Sequence, residues 1–202
     1  MKLNSFAKEV HQNAVDHGWW DEGRSFGEIV ALCHSELSEA LEEFRDRSPM
    51  VYCVGFTLDK TCSESCPGVE CPTFTDDCAK PEGVAVELAD GVIRILDWLG
   101  KVEIDADELV SEAMNFTMCD VPAIIRSGSI GDHIARWHML LSMGYACYCR
   151  ASGMYAAALR LGRCMGEILA WADESGVDME RIIAVKHAYN QGRPYRHGGK
   201  VL

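Results

Sequence analysis

The sequence lacks any apolar run that approaches the about 18 residues needed to span a membrane. Its beginning also lacks the basic-then-apolar pattern of a secretory signal. Positive charge is scarce: 19 lysines and arginines stand against 31 aspartates and glutamates, which gives a formal net charge of -12 and a pI near 5.0. Polyanionic surfaces repel nucleic acid polymers and acidic membranes. We therefore expect a cytoplasmic protein that binds neither a nucleic acid polymer nor a membrane.

Strand signals are also scarce, and residues 50–56 (MVYCVGF) are the exception. Helical periodicity fills most of the remaining chain. The predicted helices span about residues 3–17, 26–47, 83–100, 106–115, 130–150, 153–174 and 177–189. They predict an all-α fold, an antiparallel helix bundle, in a single domain over residues 1–202. No convincing internal repeat is visible, although two pairs of long helices leave room for a diverged duplication.

Between residues 50 and 81 the helical periodicity disappears, and the composition predicts an irregular, Cys-rich insertion loop. In a chain without a secretory signal, its cysteines are expected to be thiols or metal ligands. Their spacing lacks the C-x2-C pairs of common zinc modules. Four thiolates could still hold a structural Zn²⁺, and unliganded thiols are the alternative. The candidate ligands are Cys62, Cys66, Cys71 and Cys78.

Two acidic motifs lie on predicted helices that are far apart in the chain. Glu36 and Glu39 form E-x-x-E, and Glu87 and Asp90 form E-x-x-D. Residues three apart share one helix face, so two such helices facing each other would present four carboxylates. The second pair interrupts a nearly all-apolar segment, where a cation would offset the cost of burying unpaired charge. Oxygen ligands favour Mg²⁺ or Mn²⁺ over Zn²⁺, whereas a solvated helix face is the alternative for either pair alone.

These motifs resemble those of the all-α nucleoside triphosphate pyrophosphohydrolases, which include MazG, the dimeric dUTPases and phosphoribosyl-ATP pyrophosphohydrolase. A third matching element is K-x-x-x-N, Lys186 and Asn190, followed by RPYRHGGK at residues 193–200. The chain is most similar to the MazG-like branch, over about residues 4–47, 82–100 and 178–200. The segment between its two acidic motifs is longer than is usual in the family, because of the Cys-rich insertion.

The resemblance implies Mg²⁺-dependent hydrolysis of a nucleoside triphosphate between the α and β phosphates, which yields a monophosphate and pyrophosphate. The metal ligands that it implies are Glu36, Glu39, Glu87 and Asp90. A carboxylate less committed to metal could orient the attacking water, and we assign that catalytic role to Glu39. Family members commonly form dimers or tetramers, which implies a homo-oligomer. Helices between residues 129 and 175 could instead complete the bundle within one chain.

A substrate triphosphate also needs cations from the protein, and the C-terminal segment holds the densest basic stretch of this acidic chain. For the base, Trp19 or Trp20 could provide a stacking surface, and Asn13 or Asn190 could bind polar edges. A solvated tail and core tryptophans are the alternatives. The predicted substrate-binding residues are Lys186, Asn190, Arg193, Arg196, Lys200 and Trp20.

Two other classes of protein compete with this prediction. A metal phosphohydrolase of the HD type needs consecutive His and Asp, but this chain has only the reverse order, at Asp16–His17 and Asp132–His133. The other class is a helical, metal-binding regulatory or partner-binding protein without turnover. Release of pyrophosphate from a triphosphate would separate that binding protein from the enzyme.

Overall fold

The computed structural model describes residues 2–54, 80–115, 128–150 and 153–196. Within these ranges the chain forms seven α-helices and a two-stranded sheet, which confirms the all-α fold class. None of these helices is long and apolar enough to cross a membrane. The predictions for Cys62, Cys66, Cys71, Cys78 and Lys200 lie outside the described residues. The helices are α1 (Leu3–Asp16), α2 (Phe26–Arg45), α3 (Val84–Lys101), α4 (Ala106–Asn115), α5 (Ile130–Tyr148), α6 (Gly153–Glu174) and α7 (Met179–Gln191).

Helix α2 begins where the sequence predicts. The Ser25 hydroxyl accepts a hydrogen bond from the backbone N–H of Glu28, and the Glu28 carboxylate accepts one from the backbone N–H of Ser25. This capping box satisfies donors that the first turn of a helix leaves without partners. The helix ends at Arg45, slightly before the predicted end near Arg47, because Arg47 adopts a φ of 60° through which a helix cannot continue.

The ends of the Cys-rich insertion are regular, which corrects the prediction of an irregular loop over all of residues 50–81. Strand β1 (Tyr52–Val54) pairs in antiparallel orientation with β2 (Lys80–Glu82). Both strands are edges, so Pro81 is tolerated although it lacks an N–H. The short ladder returns the chain to the start of α3, where the Ala85 N–H donates to the Met50 carbonyl.

Helix α3 lies at the centre of the bundle. All its residues from Val84 to Leu99 are buried except Asp90 and Arg94, and α1, α2, α6 and α7 pack around it. The contact with α1 is close, since a Cβ atom at Gly100 would lie 2.5 Å from the Ala7 carbonyl oxygen. A helix that is apolar on most sides must be covered by neighbours, and this explains its central position.

The second half of the chain repeats the helix start of the first half. Helix α5 begins with Ser129 in a capping box with Asp132, as α2 begins with Ser25 and Glu28. The two helices then carry the same residue types at five matching positions: Gly27 and Gly131, Ala31 and Ala135, His34 and His138, Leu37 and Leu141, and Ser38 and Ser142.

The connection from α3 to α4 is repeated between α6 and α7. The N–H of Ile104 donates to the Leu99 carbonyl at 3.2 Å, and at the matching position the N–H of Val177 donates to the Ala172 carbonyl at 2.8 Å. The residue before each donor has a positive φ, 56° at Glu103 and 71° at Gly176. Asp105 and Asp178 then accept hydrogen bonds from the first turns of α4 and α7.

The packing of these helices is reciprocal. Helix α4 packs on α6, α7 packs on α3, and α2 packs against α5. His34 and His138 meet between α2 and α5, with ring centroids 4.9 Å apart, planes inclined by 8° and Nδ1 atoms 2.6 Å apart. An approximate two-fold relation would produce this arrangement. Helices α2, α3 and α4 therefore correspond to α5, α6 and α7, a structural repeat that the sequence alone leaves undecided.

Buried charges of α5 and α6 are paired with one another. The guanidinium of Arg136 donates to Glu167 at 2.6 and 2.8 Å, and both side chains are 4% exposed. Arg163 donates to the same carboxylate at 2.7 Å and to the carbonyl oxygens of Ala113 and Met114 near the end of α4. This network joins α4, α5 and α6 through charge-assisted hydrogen bonds.

Candidate functional site

A polar cavity of about 290 Å³ is lined by residues of α1, α2, α3, α7 and the segments next to them. This volume is close to the lower end of the range for small-molecule pockets, about 300–1,000 Å³. The cavity has an acidic part, formed by α2 and α3 with Lys80 and Lys186, and a part that contains Trp19, Arg24 and Arg193. Both parts include residues that the sequence singles out.

Three of the four predicted metal ligands converge in the acidic part. Oxygen atoms of Glu36, Glu39 and Glu87 all lie within 4.8 Å of one another. Glu36 and Glu39 are one turn apart on α2, and Glu87 approaches them from α3. Glu36 and Glu87 are buried, whereas Glu39 is exposed at the mouth of the cluster. Among the described residues, this is the group whose ligand atoms are close enough to share one cation.

Asp90, the fourth predicted ligand, also lines the cavity, but it is paired with a lysine. The Lys186 ammonium lies 2.9 Å from its carboxylate and 3.4 Å from the carbonyl oxygen of Pro81. Lys186 itself is 2% exposed. Its Nζ thus pairs with Asp90, and the contact of Lys186 with a substrate phosphate stays a prediction.

The Arg94 guanidinium is a second positively charged group in the cluster, and this role was not predicted from the sequence. Its Nε donates to Glu36 at 2.5 Å. Arg94 follows Asp90 by one turn of α3, so its position on the same helix face was a signal available in the sequence. The cluster therefore contains four carboxylates and two basic groups, and full ionisation would leave two negative charges without a partner.

Burial and crowding of like charges change the proton affinities in the cluster. Burial, followed by repulsion from Asp90 and a hydrogen bond with Glu82, raises the pKa of Glu87 to about 9 against the attraction of Lys186. Burial likewise raises the pKa of Glu36, although Arg94 opposes this. The pKa of Lys186 is raised, because attraction by Asp90 and Glu87 outweighs the effect of burial. Without a cation, the fold favours a protonated Glu87.

Helix-terminal and C-terminal residues form the other part of the cavity. The Arg24 guanidinium lies 4.8 Å from the ring centroid of Trp19, and both residues line the cavity together with Asn13, Asn190 and Arg193. The two ring nitrogens of His17 lie 2.8 and 2.9 Å from the carbonyl oxygens of Asn13 and Arg193. These bonds attach the segment after α7 to the end of α1.

Trp20 and Arg196 are not among the residues that line the cavity, and their substrate contacts stay predictions. The Trp20 indole N–H donates to Asp97 at 3.0 Å, and Trp19 is the tryptophan that reaches the cavity. Arg196 donates to the Gly18 carbonyl at 3.2 Å and to Glu22 at 2.9 Å. The sequence does not show which of the two adjacent tryptophans lines the cavity, because the direction of each side chain depends on the loop after α1.

The donor set fits a hard divalent cation. Its ligand atoms are carboxylate oxygens, which Mg²⁺ and Mn²⁺ prefer, and thiolate or imidazole ligands of Zn²⁺ are absent from the described cluster. Glu36, Glu39 and Glu87 would hold the ion, with Asp90 beside them. A charge of +2 equals the two negative charges that Arg94 and Lys186 leave uncompensated.

The second half does not reproduce this acidic cluster. Leu140 and Met143 occupy the positions on α5 that correspond to Glu36 and Glu39 on α2. Arg160 and Arg163 occupy the positions on α6 that correspond to Glu87 and Asp90 on α3. The acidic cluster is therefore confined to α2 and α3, whereas α7 of the second unit contributes Lys186 and Asn190 to the same cavity.

Comparison of the chain with protein-family models, with curated proteins and with solved structures found no match in any of the three. Its candidate function therefore depends on the geometry and chemistry of the cavity.

Proposed function

We propose that the protein is a Mg²⁺-dependent nucleoside triphosphate pyrophosphohydrolase of the MazG-like all-α class. The observation that carries this proposal is the convergence of Glu36, Glu39 and Glu87 from two helices within one cavity. The four acidic residues are those of the E-x-x-E and E-x-x-D motifs. Their placement in a cavity that also contains cationic and aromatic side chains suits a ligand that is anionic at one end and flat at the other.

The reaction requires attack by water on the α-phosphorus, which forms a new P–O bond and breaks the bond between that phosphorus and the oxygen of the β-phosphate. The products are a monophosphate and pyrophosphate. Mg²⁺ held by the carboxylates would neutralise charge on the phosphate oxygens and promote ionisation of water. No thiol or hydroxyl nucleophile of the protein is needed for this reaction.

Glu39 is the residue best suited to orient the attacking water. The Ser35 hydroxyl donates to its Oε1 at 2.9 Å, which restrains the carboxylate. The side chain is exposed, so its other oxygen is accessible to a water molecule. Glu36, in contrast, is buried and committed to Arg94. This contrast supports the assignment of the water-orienting role to Glu39.

The remaining cavity residues suit the rest of a nucleotide. Arg193 lines the cavity and can attract phosphate oxygens, with Arg24 as a further cation, whereas the Lys80 ammonium is paired with Glu82. Lys186 instead acts on Asp90, whose carboxylate it holds at 2.9 Å. Trp19 and Asn190 are available to contact the nucleoside. The acidic protein thus offers local positive charge where an anionic substrate would enter.

The direct test is to incubate the protein with individual triphosphates and Mg²⁺ and to measure pyrophosphate and monophosphate separately. We expect equal amounts of both products. Glu36→Gln and Glu87→Gln should lower kcat by roughly 10²- to 10³-fold or more, as for loss of a group that stabilises transition-state charge. The matched control is Glu42→Gln, because Glu42 is an exposed residue of the same acidic helix and forms a surface ion pair with Arg45 at 3.6 Å.

The alternative is a metal-binding regulatory protein without turnover. Retained Mg²⁺ binding with no release of pyrophosphate from any triphosphate would favour it. Release of phosphate instead of pyrophosphate would contradict the proposed bond cleavage.

A further inference from the structure

A fifth carboxylate, Asp97, lines the same cavity and is not used by the cation site. It follows Asp90 by seven residues on α3, which is about two helical turns or roughly 10 Å along the axis. Asp90, Arg94 and Asp97 all line the cavity, so they form one stripe on the helix. Asp97 is only 7% exposed. Its position is therefore about the length of a nucleoside away from the acidic cluster.

The two oxygens of Asp97 have different surroundings. Oδ1 lies 2.8 Å from His11 Nδ1 and 3.0 Å from the indole nitrogen of Trp20. Within the described part of the chain, Oδ2 receives only the longer 3.3 Å contact from Trp20. A carboxylate oxygen has two lone-pair directions, so Oδ2 retains capacity to accept a hydrogen bond. His11 and Trp20 fix the carboxylate through Oδ1.

The repeat shows that the corresponding position of the second half carries no carboxylate. The segments Ile95–Leu96–Asp97–Trp98 and Ile168–Leu169–Ala170–Trp171 correspond, and they precede the same turn. The second half thus keeps the apolar residues and the tryptophan but has alanine in place of Asp97. The same substitution of acidic residues by other types occurs at all four positions of the cation site.

We propose that Asp97 determines base specificity by accepting a hydrogen bond from the exocyclic amino group of the substrate's base. The inference rests on the proposed function, because it places the phosphates at the acidic cluster. Trp19 and Arg24 line the same cavity and provide a planar surface for a base. Carboxylates accept from amino groups such as that of cytosine, and they repel the carbonyl oxygen that uracil has at the same position.

The test compares ligands in which a carbonyl oxygen replaces the amino group and the adjacent ring nitrogen gains a hydrogen, namely CMP with UMP and AMP with IMP. Binding is measured by calorimetry, without turnover. We expect the protein to prefer the amino member of at least one pair by roughly tenfold or more. Asp97→Asn should abolish or reverse this preference, because the amide can keep an oxygen towards His11 and present an N–H donor to the ligand. Thermal melting of both proteins checks that the variant is folded.

Trp20→Phe is the matched control for a purely structural role of Asp97. It removes one donor to the carboxylate but keeps the charge, so the preference for the amino member should persist. Equal affinity for both members of both pairs, or an unchanged preference in Asp97→Asn, would overturn the proposal. If Asp97→Asn changed only the ratio of the affinities for CMP and dCMP, Asp97 would contact the sugar, and the proposal would also be overturned. A preference that depends on Asp97 in a protein that hydrolyses no triphosphate would refute the proposed function alone.

Discussion

The two halves of the molecule have corresponding helices but opposite internal electrostatics. In the second half, the guanidinium groups of Arg136 and Arg163 both donate to the Glu167 carboxylate. In the first half, four carboxylates face one cavity, where Arg94 pairs with Glu36 and Lys186 of α7 pairs with Asp90. The second half shows that this helix arrangement forms without the carboxylates. The acidic residues of the first half are therefore better explained by a ligand than by folding.

The two halves also differ in how the charge of a buried carboxylate is compensated. Glu167 is bound by two guanidinium groups, and its environment is complete without any ligand. Glu87 has a pKa raised to about 9, mainly by burial, so its environment favours the uncharged acid. Replacing the carboxylate by a neutral amide should therefore have different effects on stability at Glu167 and at Glu87.

The largest effect on stability is expected from Glu167→Gln. The substitution removes the negative charge between Arg136 and Arg163, and breaking a buried ion pair typically costs about 3–5 kcal/mol. For a chain of this size, the melting temperature should fall by roughly 10 °C. Differential scanning calorimetry without metal would measure the change.

The matched control for this prediction is Glu174→Gln, an exposed position on the same helix. It should change the melting temperature by little. If Glu167→Gln were as stable as the unmodified protein, the second half would not depend on its internal ion pairs, and the contrast between the halves would fail.

A smaller effect is expected on cation affinity as pH changes. Because the pKa of Glu87 is raised to about 9, a bound cation must displace its proton at pH 7. The affinity for Mg²⁺ should rise between pH 7 and 9 by up to about tenfold per pH unit and then level off. The stability of the metal-free protein should change in the opposite direction. The contribution of Glu87 is fully present below about pH 4.5, its ordinary pKa, and is lost as the pH rises toward 9.

Calorimetric Mg²⁺ titrations at several pH values check this prediction, and Glu87→Gln is the informative variant. It should bind Mg²⁺ more weakly, and its affinity should depend less on pH. A pH-independent affinity of the unmodified protein between pH 7 and 9 would show that Glu87 does not exchange a proton for the cation.

Much of the fold could be predicted because local signals coincide with the helix ends. The Ser25 capping box predicts the start of α2, and the predicted range 106–115 matches α4. The pairing of β1 with β2 could not be predicted, because it joins residues on opposite sides of the insertion. The repeat could not be recognised from the sequence, because corresponding positions carry charges of opposite sign, as at Arg94 and Glu167. The similarity between the halves lies in a few helix caps and turns.

The candidate site could be predicted only in part. Spacing on a helix predicts that Glu36 and Glu39 share a face, and the apolar surroundings of Glu87 indicate an unusual carboxylate. The partners of these groups depend on tertiary contacts, so the pairs Arg94–Glu36 and Lys186–Asp90 could not be derived from spacing. Asp97 was missed for the same reason, since its donors come from α1 and the loop that follows.

The most direct test of the difference between the halves is a Mn²⁺ titration followed by electron paramagnetic resonance, at equal pH, for three proteins. Glu39→Gln alters the cation cluster, and Met143→Gln makes the matched substitution at the corresponding position of the second half. We predict saturable binding by the unmodified protein, at least about tenfold weaker binding by Glu39→Gln, and unchanged binding by Met143→Gln. Absence of saturable binding, or equal weakening by the two substitutions, would contradict the assignment of a cation site to the first half.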